Sequence, residues 1–354
     1  MSEPLYDSAA KPPNQLPLSD FDYEYPESLI ASAAAEPRDS ARLMVLDRAA
    51  GRVEHAIFRD LPRFLRPGDC LVVNRTKVMP CRLFGKKSTG GKADLLLVRE
   101  LGPNVWTALA SGFKAGQKLE FPGGMTATVE GLTEEGEYRL TFAVADLRPY
   151  LAEHGLPPLP PYIAKKRVPS RADAARYQTV YARDDGSIAA PTAGMHFTPE
   201  LLEKLKASGV LLAHVTLHVG RGTFRPITSE DASAHKMLAE RYELEPSEAA
   251  IIIGARARGG RVVSVGTTTT RTLETLAARP EGLGPASGES ALYITPGYQF
   301  RGIDALITNF HLPRSTPLLL ASAFAGRERL LAAYREAVSL GYRLYSFGDA
   351  TLVL

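Results

Sequence analysis

Five of the seven histidines fall between His196 and His311, in segments dense with Gly, Thr, Pro or Asn: PTAGMHFT, HVTLHVGRGTFRP, AHKMLAE and TNFHLPRST. An imidazole titrates near neutrality, so His196, His218, His235 and His311 are candidates for moving protons. The alternative for each is a turn or core histidine with its hydrogen bonds satisfied. His214 and His218 lie four apart in an apparent strand and share a face. With His196 or His311 that pair could begin a metal site, but no His-Glu-x-x-His motif or Cys pair accompanies it. Acid–base work is the better expectation, with no metal.

SVGTTTTRTLE sets Gly266 and four threonines, Thr267 to Thr270, between an apolar strand and a helix. Free N–H groups at a helix start, ringed by hydroxyls, suit an anionic or polyhydroxyl ligand. No Gly-Lys-Ser/Thr ending makes it a triphosphate loop. The structural alternative is a threonine N-cap with Glu274 closing a capping box on Arg271. In HVGRGTFRPI, Gly220 and Gly222 let backbone approach a ligand beside Phe224, with Arg221 and Arg225 for a carboxylate or phosphate. Lys165-Lys166-Arg167, Arg171 and Arg176 form the densest cationic stretch, interleaved with Tyr162, Tyr177 and Tyr181. Phosphate contact plus base stacking uses that mixture; so does a solvated surface loop.

The elements that carry these residues alternate. RLMVLDRAAGRVEHAIF reads as two strands about Ala50-Gly51, followed by a short helix and the buried strand of GDCLVV. From about residue 67 to 150, short strands separated by Gly, Pro or Asn predict a small barrel or sandwich. Beyond the proline segment LPPLPPY, strands and helices take turns: a helix capped at Thr198, strand LLAHVTLHV, a helix from Pro246, strand RVVSVG, helix TRTLETLAA, strands ALYIT and ALITNF, and helix ERLLAAYREAVSLG. The expectation is a layered α/β domain over 18–66 and 151–354, a β-barrel inserted over 67–150, and a disordered tail over 1–17.

Composition narrows the function classes. At 45% hydrophobic residues and 23% charged the chain is globular, not disordered, and a net charge of +3 is too small for non-specific wrapping of nucleic acid. Cys70 and Cys81 lack metal-ligand spacing and read as buried thiols of a reducing compartment. The apolar run near Pro317 to Gly326 is too short to span a bilayer, and the first residues lack signal-peptide features. A monomeric cytoplasmic protein is expected.

In order and spacing these segments resemble the S-adenosylmethionine:tRNA ribosyltransferase-isomerase family of queuosine biosynthesis. The carrying phrases are DFDYEYPESLI, RPGDCLVVN, RYQTVYARDDGSIAAPTAGMHFT, LHVGRGTFRPI, VGTTTTRTLE, ITPGYQFRGIDALITNFHLPRST and YRLYSFGDA, spread from about Leu18 to Leu354. The resemblance implies an α/β domain with an inserted barrel. It implies transfer and rearrangement of the ribosyl part of S-adenosylmethionine onto 7-aminomethyl-7-deazaguanine in the tRNA wobble position. Epoxyqueuosine forms, and adenine and methionine leave; no metal is implied. A base beside the sulfonium and an acid for adenine are needed. On this reading Thr192, Gly194, Gly220, Gly222, Thr223, Phe224, Gly266, Thr267, Thr268, Thr269 and Asn309 bind the cosubstrate. His196 and His311 lead for proton transfer, with His218 and His235 next, and Glu240 is a partner for His235. Lys165, Lys166, Arg167, Arg176 and Tyr177 contact the RNA. Three elements depart from the family pattern: Ser32-Ala33-Ala34, Asn74-Arg75-Thr76-Lys77 and His235-Lys236-Met237-Leu238-Ala239-Glu240, where Leu238 replaces an imidazole. They leave two rival readings, S-adenosylmethionine used on another acceptor and a catalytically silent RNA-binding paralogue.

Overall fold

The computed structural model describes residues 16–164, 167–224 and 227–354. Two strands open the fold, β1 (Arg42–Asp47) and β2 (Arg52–Ile57), followed by β3 (Cys70–Asn74) and the short β4 (Thr76–Val78). Six strands come next: β5 (Arg82–Lys87), β6 (Lys92–Gly102), β7 (Val105–Leu109), β8 (Lys118–Glu120), β9 (Thr126–Leu132) and β10 (Tyr138–Phe142). Helices α1 (Arg148–His154), α2 (Pro161–Ala164) and α3 (Ala172–Arg176) lead to β11 (Asp184–Ser187), α4 (Pro199–Ala207) and β12 (Leu211–Leu217). The remainder is β13 (Glu240–Leu244), α5 (Pro246–Ala257), β14 (Val262–Val265), α6 (Thr267–Ala277), β15 (Ala286–Ser290), β16 (Ala305–Asn309), α7 (Thr316–Ala325), α8 (Arg327–Ser339) and β17 (Ala350–Val353).

Nine strands form one sheet in the order β15-β13-β12-β3-β14-β16-β17-β1-β2, and β5 to β10 close into a barrel. The central strands of the sheet are buried on both faces and almost wholly apolar, as CLVVN and VVSV show. On one face Met44, Cys70, Val72, Val215 and Leu306 meet Ile252 of α5, Leu319 of α7 and Leu330 of α8. On the other, Leu43, Val73, Val265 and Ile307 pack against Phe58, Phe197 and Leu205. Each such side chain contributes about 1.5–3 kcal/mol over exposure, so burial against both helical layers, rather than local propensity, holds these strands in the sheet. Trp106, Leu95, Leu119, Val129 and Leu140 fill the barrel.

The expected layered α/β fold with an inserted antiparallel barrel is therefore the fold found. Its details differ in four places. Residues 1–15 of the expected tail lie outside the described residues, but Leu16 is buried and its N–H donates to Asp231 Oδ1 at 2.9 Å. The expected start of the insertion at 67 precedes β3, which pairs with β12 and β14 inside the large sheet; the barrel begins at Arg82. Residues 291–295, ALYIT, form no strand, whereas the polar segment Ala286–Ser290 pairs with β13 through backbone hydrogen bonds that its side chains do not announce. The Glu274 carboxylate instead accepts from the N–H groups of Arg301 and Gly302 at 2.9 and 2.8 Å, so no capping box forms. Among the described residues no helix is long and apolar enough to cross a membrane.

Candidate active site

Strands β12, β3, β14 and β16 are neighbours and mutually parallel, so their carboxyl ends lie on one edge. Those ends are Leu217-His218, Asn74, Val265-Gly266 and Asn309. Strand β3 is a switch point, with β12 on one side and β14 on the other, the position where open α/β sheets bind ligands. Asn74 fastens it: Nδ2 donates to Leu217 O at 3.0 Å and to Thr268 Oγ1 at 3.2 Å, while Oδ1 accepts from Leu217 N–H at 3.1 Å.

Gly266 makes the strand-to-helix turn with φ +87°, which a side chain would strain. The threonines after it differ. Thr267 and Thr268 are half-buried at the start of α6; Thr269 and Thr270 are buried and bond back to Val265 O and Gly266 O. The Thr269 hydroxyl is thus committed to the carbonyl at the end of β14 and points inward.

Opposite this helix start, the turn Thr192–His196 docks on Asn309. Thr192 Oγ1 donates to Asn309 Oδ1 at 3.2 Å, and Asn309 Nδ2 donates to His196 Nε2 and to Tyr345 O, both at 3.2 Å. Asn309 therefore uses its whole amide to hold one tautomer of His196, with Nε2 as acceptor. Burial, reinforced by Arg343 and Arg38, pushes the His196 pKa down to about 3, and the ring stacks on Phe58. Gly194 permits the close packing of this turn: a Cβ there would sit 2.0 Å from Tyr181 Oη.

A cleft of about 1120 Å³ opens between the sheet edge and the barrel. Its sheet side includes Lys77, Asp185, His218, Gly220, Gly222, Leu238 and Glu240, and its barrel side includes Arg99, Trp106, Glu137 and Arg148. Of the four candidate histidines, His218 lines this cleft. Its Nδ1 lies 2.9 Å from Thr76 Oγ1, and burial, then Arg241, lowers its pKa against the opposing pull of Asp184, Glu243 and Asp185. Gly220 N–H donates to Glu240 Oε1 at 2.9 Å, and Arg221 crosses to the barrel, reaching Glu135 O at 2.6 Å and Glu137 Oε1 at 3.1 Å. Leu238 lies against Gly222.

Most of the remaining expected residues fall elsewhere. His311 is held by Thr308 Oγ1 at 2.7 Å beside Tyr334 and Tyr23, and burial takes its pKa to about 3. Alternation along β16 puts Thr308 and Asn309 on opposite faces, so His311 and His196 do not share a site. The His235 ring meets Tyr293 at 5.3 Å with the planes inclined by 60°, and Glu240, its expected partner, is ion-paired with Arg271. Arg167 is paired with the buried Asp173, whose carboxyl that bond holds near 2, and Tyr177 is buried against Phe347. Arg167 is therefore no free cation, and Tyr177, 1% exposed, borders the cleft. Arg176 is exposed, and Arg171 lines the cleft. Lys165, Lys166, Arg225 and the side chains of Thr223 and Phe224 lie outside the described residues. Among the described residues no group of three or more His, Cys, Asp or Glu side chains could hold a metal ion; His214 is bound to Glu248 at 3.1 Å. Arg75, one departure, lies outside the cleft lining, itself buried but paired with the partly exposed Asp184, Glu245 and Glu248 at 2.7, 2.5 and 3.2 Å.

Asn74 and Thr76 form the site without a role expected from the sequence, and Glu240 takes a different partner from the His235 expected for it. Their signal was present in the family-like elements around Asn74 and His235, but their partners are set by strand order.

Residues 18–353 match the family described as queuosine biosynthesis protein, and the chain belongs to that family. It is 52% identical over 345 residues to the S-adenosylmethionine:tRNA ribosyltransferase-isomerase of Anaeromyxobacter dehalogenans strain 2CP-C, covering 95% of this chain and 99% of that protein. It is 50% identical over 343 residues to the protein of the same name from Symbiobacterium thermophilum, with the same coverage. The crystal structure of S-adenosylmethionine tRNA ribosyltransferase from Thermotoga maritima aligns with a TM-score of 0.56 and 39% identity, over 95% of this chain and all of that one.

Proposed function

We propose that this protein transfers and isomerises the ribosyl moiety of S-adenosylmethionine onto 7-aminomethyl-7-deazaguanine at the tRNA wobble position, giving epoxyqueuosine and releasing adenine and methionine. The observation that carries the reading is convergence. Asn74 ties Thr268 of the Gly266 turn to Leu217, next to His218, and Asn309 gathers Thr192 and His196 on the same carboxyl edge, while His218 and Gly220 line the adjoining cleft, large enough for a nucleoside and a base. The cosubstrate lies over that edge, its carboxylate toward the α6 N-terminus and its ribose hydroxyls toward Thr267 and Thr268, which Asn74 helps to hold. His218, neutral and in the cleft, is the leading base: with Nδ1–H donated to Thr76, Nε2 keeps the free lone pair needed to take a proton beside the sulfonium. His196, also neutral, positions the Thr192–His196 turn; His311 and His235 serve the surrounding framework. Arg171, Arg176, Lys165 and Lys166 are the RNA contacts. The cosubstrate is consumed, no metal takes part, and the protein acts as a cytoplasmic monomer.

Leu238 favours a second reading, use of S-adenosylmethionine on another acceptor, because it places an alkyl group in the cleft where the related pattern has an imidazole. Chromatography of small-molecule products separates the two. Adenine and methionine released in equal amounts, and only with tRNA carrying the aminomethyl base, support the first. Equal release with unmodified tRNA, or release of a demethylated cosubstrate, overturns it.

A further inference from the structure

We infer that Glu240 is a positioning residue, which, neutralised by Arg271, holds the Gly220-Arg221-Gly222 wall of the cleft in place; this rests on the proposed use of that cleft. Its carboxylate is buried, with a side chain 2% exposed, and so is its partner at 8%. Every arm of Arg271 is committed: Nη1 to Glu240 Oε2, Nε to Leu292 O at 3.0 Å and Nη2 to Ser290 O at 2.9 Å. The remaining carboxylate oxygen accepts the Gly220 N–H at 2.9 Å. A buried charge pair this fully bonded is geometrically rigid, whatever its net contribution to stability. The pair joins three separate elements: Arg271 lies on α6 one turn beyond Thr267, Glu240 starts β13, and Gly220 follows β12. From the far side, Arg221 ties the same loop to the barrel through Glu135 O and Glu137. The loop is thus pinned between sheet and barrel, two residues from His218.

Two double variants test this while leaving no buried charge unpaired. Glu240→Leu with Arg271→Met removes the acceptor for Gly220 N–H; Glu240→Gln with Arg271→Met keeps one. The Leu/Met pair is expected to fold, to speed hydrogen exchange at the Gly220 amide at least 10-fold, and to lower kcat more than 10-fold. The Gln/Met pair is expected to restore amide protection and recover most of kcat. Gly220 exchange unchanged in the Leu/Met variant overturns the inference, as does an equal kcat loss in both variants. Amide exchange needs no turnover, so it judges the loop even if the wild-type protein makes no epoxyqueuosine, which would instead count against the proposed reaction.

Discussion

Replacing Arg75 by alanine removes a guanidinium that is 5% exposed and strands three carboxylates, Asp184, Glu245 and Glu248, whose side chains are 26, 35 and 14% exposed. Breaking a buried ion pair typically costs about 3–5 kcal/mol. Water already reaches Asp184 and Glu245, and Arg183 pairs with both, so the low end, about 3 kcal/mol, applies. An unfolding entropy of roughly 2.1 cal/mol/K per residue over the chain converts this to a Tm lowered by about 4 °C. The pH dependence has a definite sign. Burial alone would raise the Asp184 carboxyl, but the Thr216 hydroxyl, Arg183 and Arg75 outweigh it and hold its pKa at about 2, below its ordinary 3.8. That stabilisation is complete above pH 3.8 and is lost as pH falls toward 2; Arg75 supplies only part of it, after Thr216 and Arg183, so the Tm gap between wild type and variant should narrow over that range. Calorimetry across pH, with turnover measured well below both melting temperatures, checks it. A variant with unchanged Tm but abolished turnover would refute the structural assignment of Arg75 and place it in the chemistry.

Three further outcomes are expected. His218→Gln should lower single-turnover product formation by about 10²–10⁴-fold with little change in Tm, and full turnover would remove it as the base. Arg171→Ala with Arg176→Ala should weaken tRNA binding and reduce the slope of log K against log salt by about one per charge, read by filter binding; an unchanged slope would mean solvated arginines. His196, with a folded pKa near 3 and an ordinary value of 6.5, binds its proton more weakly in the folded state, so it lowers stability as pH falls from about 6.5 toward 3, by up to about 1.4 kcal/mol per unit. Urea titrations at pH 7 and 5 should show that slope reduced in His196→Gln, and an identical slope would contradict the buried neutral assignment.

What was legible in the sequence followed local rules. Thr198 accepts from Leu201 N–H at 3.2 Å as its helix-start pattern requires, and the barrel strands lie where turn residues separate them. The segment TPLLLASAFA is apolar all round, so it carries no periodic signal of helix α7, which is buried nearly throughout. Tertiary partners decided the rest. Glu274 was placed by local spacing in a cap, yet its carboxylate serves Arg301 and Gly302 in a distant loop. His196 and His311 looked equivalent because each sits in a loop-rich phrase; only the alternation of β16 within the sheet separates their faces. Tyr177 read as a stacking platform, but Phe347 near the other end of the chain covers it. Asn74 gained its role from the order β12-β3-β14, which no local pattern contains.

The central claim is the identity of the product on the RNA. Purified protein, S-adenosylmethionine and tRNA bearing 7-aminomethyl-7-deazaguanine would be incubated, and the RNA digested to nucleosides for mass spectrometry. The account predicts that the precursor nucleoside converts to epoxyqueuosine, and that the conversion is lost in His218→Gln. A precursor peak left intact, or a product carrying only an added methyl group, by a protein that binds both substrates, would contradict it.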